Sequence, residues 1–263
     1  MNISIDALLQ AAETAADAAA AITLAAFRTP LHVENKLEAG FDPVTKADRD
    51  AEAVIKQVLK DAFPDIGFKG EESPERIGGS DLTWVVDPID GTRAFITGMP
   101  LWGTLIALSR QDRVFLGLID QPFLQERYIG HSGRAFAVCQ GDRRTLSSGG
   151  CVELEKAIVQ TTSPTMFKTV PEQKRFAAVA DAVRLVRFGG DCYAYAMLAS
   201  GYVDLVIEAD LQPYDVQALI PIVEGAGGVI SNWNGEHAAD GGTLLAAATS
   251  ELHAQALRLL RGV

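Results

Sequence analysis

Two carboxylates three residues apart, Asp87 and Asp90, stand in the stretch WVVDPIDGT, which covers residues 84–92. The apolar, β-branched residues before Asp87 predict a buried strand that ends at the Asp87-Pro88 pair, because proline cannot donate to a central strand ladder. Carboxylates this close repel each other unless a cation lies between them. A solvated turn has the same spacing, but the buried flank favours a metal-binding site, since unpaired buried carboxylates are costly.

The other candidate ligands indicate which metal this would be. The histidines are scattered along the chain, so a histidine-ligated transition-metal site is not indicated. Oxygen ligands dominate, which favours Mg2+. Asp87 and Asp90 resemble the paired aspartates of aspartyl-phosphate phosphatases, but a gap of three with a proline inside differs from the i, i+2 spacing that points two strand residues the same way. Attack by water is therefore favoured over a covalent aspartyl intermediate.

Motifs of several other enzyme classes are absent from the sequence. It contains no G-x-S-x-G nucleophile elbow, no H-E-x-x-H zinc motif and no P-loop with its lysine. The glycine-rich stretch 225–228 does not complete G-x-G-x-x-G and follows a predicted helix, so a helix C-terminus explains it better than a dinucleotide site.

The composition excludes several kinds of partner. With 34 acidic and 23 basic residues the formal charge is −11, so neither nucleic acid nor an anionic membrane surface is expected to bind. Three widely spaced cysteines without a C-x-x-C pair indicate buried free thiols. The N-terminus carries acidic residues and lacks the basic region of a signal peptide, and no stretch is long and apolar enough to span a bilayer. These features predict a cytoplasmic protein.

The elements that must position the carboxylates follow from hydrophobic periodicity. Helices are predicted over 5–27, 45–63, 172–183, 192–199, 215–224 and 251–260, the second beginning with a capping-box-like pair, Thr45 and Asp48. Leu31 to Pro43, which contains Lys36, lacks a period and is interpreted as a loop able to move over a site.

Short strands separated by turn signals are predicted on both sides of residue 150. A β-meander is expected after the Asp87 stretch, over 103–109, 114–120, 125–130 and 134–140, and later strands over 157–161, 184–188, 203–207, 227–231 and 243–248. Helices that flank clustered antiparallel strands predict a mixed α/β or α+β fold with a large sheet. We expect a single unit, residues 1–263, with a subdomain division near residues 145–155.

Four motifs in chain order resemble the inositol monophosphatase family of magnesium-dependent, lithium-sensitive phosphatases. They are Val44-Thr45-Lys46-Ala47-Asp48, Gly70-Glu71-Glu72-Ser73, Asp87-Pro88-Ile89-Asp90-Gly91-Thr92, and Tyr214-Asp215 through Glu224-Gly225-Ala226-Gly227-Gly228. The resemblance spans nearly the whole chain. The stretches 93–95, 189–195 and 211–218 are most similar to the histidinol-phosphate phosphatase branch.

The resemblance implies a layered αβαβα sandwich of the inositol monophosphatase and fructose bisphosphatase type, and a homodimer. It also implies a phosphoric monoester hydrolase with two Mg2+ ions. Glu71, Asp87 and the backbone carbonyl of Ile89 would bind one ion, and Asp87, Asp90 and Asp215 would bind the second. Asp87 would be shared between them. A third, looser ion would lie near Glu71, under the loop that carries Lys36.

Catalytic roles are implied as well. Thr92, with Asp48 behind it, would orient and deprotonate the attacking water near the ion that Glu71 holds. The amides of Gly91 and Thr92, at a helix start, would hold phosphate oxygens. Taken alone, Asp48 is typical of a helix first-turn carboxylate and Glu71 of a solvated loop, so the resemblance changes the interpretation of both. Glu72 stays either a solvated residue or a neighbour that supports the ligands without binding the ion.

The leaving-group pocket decides the substrate. Many family members have tryptophan where this chain has Tyr214, which argues against equating it with the inositol enzymes but leaves the ligand role of Asp215 in place. Histidinol phosphate carries an ammonium group and an imidazole, so acidic residues should line its pocket. Asp191 and Glu208 are the candidates.

Gly190 and Cys192 would shape the wall of this pocket. Both acidic candidates have structural alternatives: Asp191 as a helix N-cap, and Glu208, at the predicted end of a strand, as a carboxylate on the rim.

Three functions stay open on this evidence. The preferred one is a magnesium-dependent histidinol-phosphate phosphatase of histidine biosynthesis, in which water attacks phosphorus directly. The second keeps this chemistry with inositol or a related sugar alcohol as the leaving group, and a 3′-phosphoadenosine nucleotide is disfavoured because no basic and aromatic adenine site is evident. The third is a non-catalytic regulatory binding protein, against which the intact set of acidic and hydroxyl residues argues.

Overall fold

The computed structural model describes residues 4–36, 43–111 and 113–262. Of the loop predicted between Leu31 and Pro43, residues 37–42 lie outside these ranges. The prediction is wrong for Val33–Asn35 and for Pro43, which belong to short strands, and Lys36 directly follows the first of them. Within the described ranges, none of the helices has both the length and the apolar character needed to cross a membrane.

Two long helices form the first layer, as predicted. α1 spans Ile5–Ala26 and α2 spans Lys46–Ala62. Before α2, the short strands β1 (Val33–Asn35) and β2 (Pro43–Thr45) pair antiparallel. The predicted capping box is present, because Asp48 accepts from the Thr45 backbone N–H at 2.9 Å. This contact holds Asp48 at the buried first turn of α2.

A seven-stranded sheet forms the second layer, in the order β3-β4-β5-β6-β7-β8-β9. Its strands are β3 Gly67–Gly70, β4 Leu82–Asp90, β5 Gly103–Arg110, β6 Arg113–Gln121, β7 Glu126–His131, β8 Arg134–Cys139 and β9 Asp142–Thr145. The predicted meander is confirmed as β5 to β8, whereas β3 and β9 had not been predicted. β3 pairs parallel with β4, and the remaining neighbours are antiparallel.

The prediction that the strand before Asp87 ends at Asp87-Pro88 is wrong. β4 continues to Asp90, with its register to β5 shifted between Asp87 and Asp90. Pro88 needs no ladder donor inside this bulge, and its carbonyl accepts from the Thr104 hydroxyl at 2.8 Å. The short helix α3, Thr92–Ile96, begins directly after Gly91.

The second sheet has five strands in the order β11-β10-β12-β14-β13. They are β10 Ile158–Thr161, β11 Leu185–Phe188, β12 Leu205–Leu211, β13 Val229–Ser231 and β14 Gly242–Ala247. The helices α4 (Val170–Ala180) and α8 (Ser250–Arg261) pack together and cover its outer face. Two 3₁₀ turns, Leu154–Lys156 and Pro164–Met166, flank β10.

A helical layer lies between the sheets: α5 (Cys192–Ala199), α6 (Pro213–Val216) and α7 (Leu219–Gly225). The single helix predicted over 215–224 is therefore wrong, because it is divided into α6 and α7. Pro221 supplies the physical reason: it has no N–H to donate to the carbonyl of Gln217, where the helix is interrupted. The layers run helix, sheet, helix, sheet, helix, as expected for a layered α/β fold.

The alternation of side chains along β4 directs Asp87 toward the space between the two sheets. Trp84 and Val86 pack in the core under α1 and α2, whereas Val85 belongs to the core between the sheets. Asp87 shares the face of Val85, because side chains alternate along a strand. The chain then leaves the first sheet after Thr145 and enters the second at Ile158. The subdomain division expected at 145–155 stays a prediction.

Candidate active site

A cleft of about 520 Å³ opens where strand ends of both sheets meet the α3 and α6 turns. A smaller cavity of about 60 Å³ continues from it toward α5. Most of the site residues predicted from the sequence line one or both: Glu71, Asp87, Ile89, Asp90, Gly91, Thr92, Asp191, Cys192, Glu208 and Asp215. Residues 100 or more positions apart are thus brought to one surface.

Three aspartates form the centre of the cleft. One carboxylate oxygen from each of Asp87, Asp90 and Asp215 lies within 4.8 Å of the others. Each carboxylate is held by a backbone N–H: Asp87 by Ile89 at 2.9 Å, Asp90 by Cys192 at 2.6 Å, and Asp215 by Gln212 at 2.7 Å. These bonds fix the carboxylates before anything binds.

Glu71 joins this group from the end of β3. After burial, the nearby charges of Glu71, Asp90 and Asp215 raise the pKa of Asp87, so Glu71 and Asp215 both lie close to the Asp87 carboxyl group. Asp87 therefore stands between the other two, as a shared ligand would. Lys36 lies on the outer side, with Nζ 2.8 Å from Glu71 Oε1 and an ion pair to Glu72. Glu72 is therefore a neighbour that shares Lys36 with Glu71, as one of the two expectations has it, and it is not a solvated residue.

The electrostatics of the group favour a cation. Burial and the neighbouring carboxylates raise the pKa values of Asp87 and Asp90 well above the ordinary range. Burial, with Glu71 nearby, raises the pKa of Asp215 to about 7. A hard divalent cation would remove this cost, since carboxylate and carbonyl oxygens are the ligands that such ions prefer. The donor set, all oxygen, fits such an ion.

Thr92 and Asp48 meet beside the aspartates, although they are 44 positions apart. The Thr92 hydroxyl lies 3.4 Å from Asp48 Oδ1 and donates to the Ile89 carbonyl at 3.1 Å. Asp48 is fully buried, and that burial raises its pKa. A carboxylate that is costly to keep charged takes up a proton readily, which suits a group that accepts one through a hydroxyl.

Gly91 makes the turn into α3 at a φ of +83°, a left-handed conformation that a side chain disfavours. It also faces a crowded neighbour, because a Cβ here would lie 3.1 Å from Cβ of Asp191. Gly91 thus permits β4 and the start of α5 to approach each other.

The leaving-group candidates lie at this second wall. Asp191 occupies the N-cap position of α5 but makes no capping bond with its side chain. Burial, reinforced by the Glu208 carboxylate, raises the pKa of Asp191 to about 7. Gly190, before it, takes a φ of +132°, where little besides glycine is comfortable. Cys192 is buried and lines the smaller cavity, whereas Cys139 and Cys151 are partly exposed, so the prediction of buried thiols is right only for Cys192.

Two interpretations of Glu208 are wrong. It does not end a strand, because β12 continues to Leu211 with a register shift after Glu208, and it does not lie on a rim, because it is 3% exposed. Its two oxygens accept from the Thr162 N–H at 3.0 Å and the Tyr195 hydroxyl at 2.8 Å. Glu208 is thus a buried carboxylate with fixed partners.

Thr162, Tyr195 and Lys168 also line the site and were not predicted from the sequence. Thr162 binds both acidic candidates, since its hydroxyl accepts from the Asp191 N–H at 3.1 Å. The available signal was the hydroxyl-rich run before Pro164, directly after a buried strand. Tyr195 ends the stretch 189–195 that carried the family resemblance, and Lys168 had no local signal.

A sequence profile of the inositol monophosphatase family matches residues 4–263. The chain belongs to the inositol monophosphatase family. It is 41% identical over 270 residues to bifunctional phosphatase IMPL2, a chloroplastic protein of Arabidopsis thaliana, covering 98% of this chain and 76% of the relative. It is 36% identical over 245 residues to a histidinol-phosphatase of Chlorobaculum parvum, covering 93% of each.

A solved structure gives the same result for the fold. An inositol monophosphatase from Zymomonas mobilis matches with a TM-score of 0.86 and 38% identity, over 99% of this chain and 100% of that one. The predicted layered α/β fold is therefore confirmed. The protein is a phosphatase of this family, and the family's general dependence on metal agrees with the acidic group around Asp87.

Proposed function

We propose that the protein is a magnesium-dependent histidinol-phosphate phosphatase, which releases histidinol and inorganic phosphate and serves histidine biosynthesis. The observation that carries the proposal is the acidic cavity beside the aspartates, where Asp191 and Glu208 lie together. An ammonium group is attracted to such a cavity, whereas a neutral polyol gains less from it. The likeness to a histidinol-phosphatase across 93% of the chain supports the same substrate.

Four acidic side chains and one carbonyl would hold the cations. Glu71, Asp87 and the Ile89 carbonyl form one ligand set, and Asp87, Asp90 and Asp215 form the other. When bound, Mg2+ would supply positive charge to the attacking and leaving oxygens of an in-line displacement. The Asp87 carboxylate, between Glu71 and Asp215, is the member that both sets share.

Thr92 and Asp48 would activate the water. The Thr92 hydroxyl would accept a hydrogen bond from water and pass a proton toward Asp48, whose raised pKa suits it as the base. The water oxygen forms a bond to phosphorus as the bond to the alcohol oxygen breaks. The leaving alkoxide takes a proton from solvent water and departs as the alcohol, Asp48 returns its proton to solvent, and hydrogen phosphate is released. The backbone amides of Gly91 and Thr92 would bind non-bridging phosphate oxygens.

Asp191 and Glu208 would bind the amine or imidazole of the leaving group. Glu208 is already oriented by Thr162 and Tyr195, so little ordering would be needed when substrate enters. Gly190 and Cys192 would shape the wall against which the carbon skeleton packs.

A second candidate function is hydrolysis of inositol phosphate or a related polyol phosphate. The likeness to the Zymomonas mobilis inositol monophosphatase over 99% of the chain favours it. The cation sites and the water would be the same, and only the leaving-group contacts would differ.

The deciding experiment compares phosphate release from histidinol phosphate and from inositol 1-phosphate, with Mg2+ at matched concentrations. We expect kcat/KM to favour histidinol phosphate by about a hundredfold or more, about 3 kcal/mol of transition-state discrimination. The reverse preference would replace the substrate and keep the cation site. Hydrolysis of neither ester, with Mg2+ still bound, would overturn both candidate functions.

We also propose a cytoplasmic homodimer. Leu185 and Phe188 of the edge strand β11 expose 44% and 53% of their surface, which supports a contact with a second copy at this edge. Light scattering after gel filtration would give the mass, and a monomer at micromolar concentration would contradict the proposal.

A further inference from the structure

One buried carboxylate near the site has no part in the chemistry above. Glu52 follows Asp48 on α2 by one helical turn and is 1% exposed. Its Oε2 accepts from the Glu72 backbone N–H at 2.7 Å. Its Oε1 is buried and has no hydrogen-bond partner among the described residues. A buried carboxylate that is only half satisfied is costly, so its retention calls for a reason.

The contact with Glu72 controls the backbone on the far side of Glu71. β3 is an edge strand, and its last residue, Gly70, pairs with Val86 of β4. Beyond Gly70 the chain leaves the sheet. Two residues further on, the N–H of Glu72 donates to Glu52. Glu71 is therefore held between a sheet contact on one side and a helix contact on the other.

Gly70 supplies the space that this contact needs. A Cβ at Gly70 would overlap the Glu52 carboxylate. Gly70 lies in a strand and does not have a positive φ, so an unusual torsion does not explain the glycine. The close approach of the Glu52 side chain from α2 explains why glycine stands at position 70.

The ion pairs of Lys36 do not replace this contact. Lys36 binds the carboxylates of Glu71 and Glu72, at the ends of their side chains, and does not contact the backbone between them. Glu52 instead binds the main chain, and it does so from inside a long helix. The backbone beside Glu71 is therefore held even when Lys36 moves away.

We propose that Glu52 is a positioning residue that aims the Glu71 carboxylate at Asp87, through the Glu72 N–H and without touching the cation. The inference rests on the proposed role of Glu71 as a cation ligand. Loss of the Glu52 carboxylate would lower the affinity for the divalent ion and leave the rate of the chemical step unaltered, because the aspartates, Thr92 and Asp48 would be unchanged.

The test is Mg2+ binding by titration calorimetry, without substrate and well below the melting temperature of every variant. Glu52→Gln keeps an oxygen acceptor for the Glu72 N–H, so we expect its Kd within about threefold of the wild-type value, less than the loss of a supporting contact usually causes. Glu52→Ala removes the acceptor and Gly70→Ala displaces it. Both should weaken binding by about 10- to 100-fold.

Ile55→Ala is the matched control, because Ile55 is also fully buried on α2 but packs in the apolar core. It should lower the melting temperature and leave the Kd for Mg2+ unchanged. At saturating Mg2+, the kcat of Glu52→Ala should return to near the wild-type value.

Wild-type binding by Glu52→Ala and Gly70→Ala would overturn the proposal. Equal losses in Glu52→Gln and Glu52→Ala would also overturn it, since charge and not the hydrogen bond would then be responsible. Loss of Mg2+ binding in Ile55→Ala would also overturn it, because general destabilisation would then explain the weaker binding of the Glu52 and Gly70 variants. If Glu52→Ala does not fold, Gly70→Ala makes the same test. Because no substrate is present, a failure of the proposed substrate would leave these binding results unaffected.

Discussion

At the scale of single residues, the site holds several buried carboxylates of like charge close together. Asp87 lies between Glu71 and Asp215, and its pKa is raised by burial first and by these neighbours next. In the absence of a cation the folded chain keeps these carboxylates together at a cost in free energy. Function and stability therefore oppose each other here, which makes single neutralising substitutions informative.

Asp90→Asn should abolish turnover and leave a stable fold. The amide can still accept from the Cys192 N–H, but it is a poor ligand, so activity should fall by more than the ~100-fold typical of an outer-sphere partner. The raised pKa of Asp90 means that its carboxyl group destabilises the cation-free protein increasingly as pH rises above 3.8. A gain of ~1 kcal/mol would raise the Tm by ~2–4 °C.

The measurement for Asp90→Asn is thermal unfolding at pH 7.5 in a chelator, together with phosphate release in Mg2+. Asp142→Asn, at an exposed position of β9, is the control and should change neither quantity. An unfolded Asp90→Asn protein, or one with substantial activity, would contradict the assignment.

Glu208→Gln should discriminate between leaving groups. It removes the charge of a buried, hydrogen-bonded carboxylate. The kcat/KM for histidinol phosphate should therefore fall ~30-fold or more, which corresponds to a loss of about 2 kcal/mol of transition-state stabilisation. The kcat/KM for inositol 1-phosphate should fall far less. Steady-state kinetics on both esters gives the ratio.

Asp210→Asn is the matched control for Glu208→Gln. Asp210 lies on the same strand and lines the mouth of the cleft, but it is exposed and paired with Lys168. Its substitution should alter the two kcat/KM values little and equally. If Glu208→Gln lowered both values by the same factor, it would have no role in recognising the amine.

At the scale of elements, irregularities in regular structure place the ligands. The bulge in β4 separates Asp87 from Asp90 without ending the strand, and the interruption before α7 lets α6 present Asp215 as a separate turn. The bulge in β12 carries the chain past Glu208 to the mouth of the cleft. Each departure occurs at a residue that faces the cleft, as is common for bulges near sites.

Where α8 meets β13, away from the site, we expect His253 to make the free energy of unfolding depend on pH. His253 Nε2 lies 2.8 Å from the Ser231 hydroxyl, and burial, with Arg261 nearby, lowers the pKa of His253 below 6.5. The unfolded chain then takes up a proton at a higher pH than the folded protein. The stabilisation that the neutral His253 side chain gives the folded protein is fully present above pH 6.5 and is lost as pH falls toward the pKa of His253 in the folded protein.

Urea unfolding of wild type and His253→Gln at pH 7.5 and 5.5 checks this expectation, with Mg2+ present. The wild-type advantage should shrink at pH 5.5. The carboxylates of the site titrate in both proteins, so the difference between them isolates His253. An advantage that does not change with pH would contradict the prediction.

At the scale of the whole molecule, the proposed cation joins parts of the chain that pack in different layers. Asp87 and Asp90 come from the first sheet, Glu71 from its edge and Asp215 from a turn between the sheets. A ligand that binds only the folded arrangement stabilises it by mass action, by about 2.7 kcal/mol at a concentration of 100 Kd.

Mg2+ should therefore raise the Tm in a concentration-dependent way, and a chelator should reverse the rise. NaCl at matched ionic strength is the control for screening and should not reproduce it. In Asp215→Asn the Mg2+-induced rise should be strongly reduced, because one ligand is removed from the cluster. An unchanged wild-type Tm at millimolar Mg2+ would argue against a cation site here.

The sequence by itself determined the local chemistry. Helices such as α1, α2 and α5 follow from periodicity and caps, and the capping pair Thr45 and Asp48 was readable because its contacts span three residues. The motif around Asp87 indicated hard oxygen ligands, and the four motifs in order identified the family. These are properties of short segments, which the neighbouring residues in the chain largely dictate.

Tertiary structure decided what those segments do together. Three contacts join residues far apart in sequence: Thr92 with Asp48, Glu208 with Tyr195, and the Glu72 N–H with Glu52. Sequence reasoning ended β4 and β12 too early and left open whether Glu208 lay in the pocket or on a rim, because bulges and burial depend on what packs across the strand and not on the strand itself. Only the packed layers turn separate carboxylates into one charged site with an acidic pocket beside it.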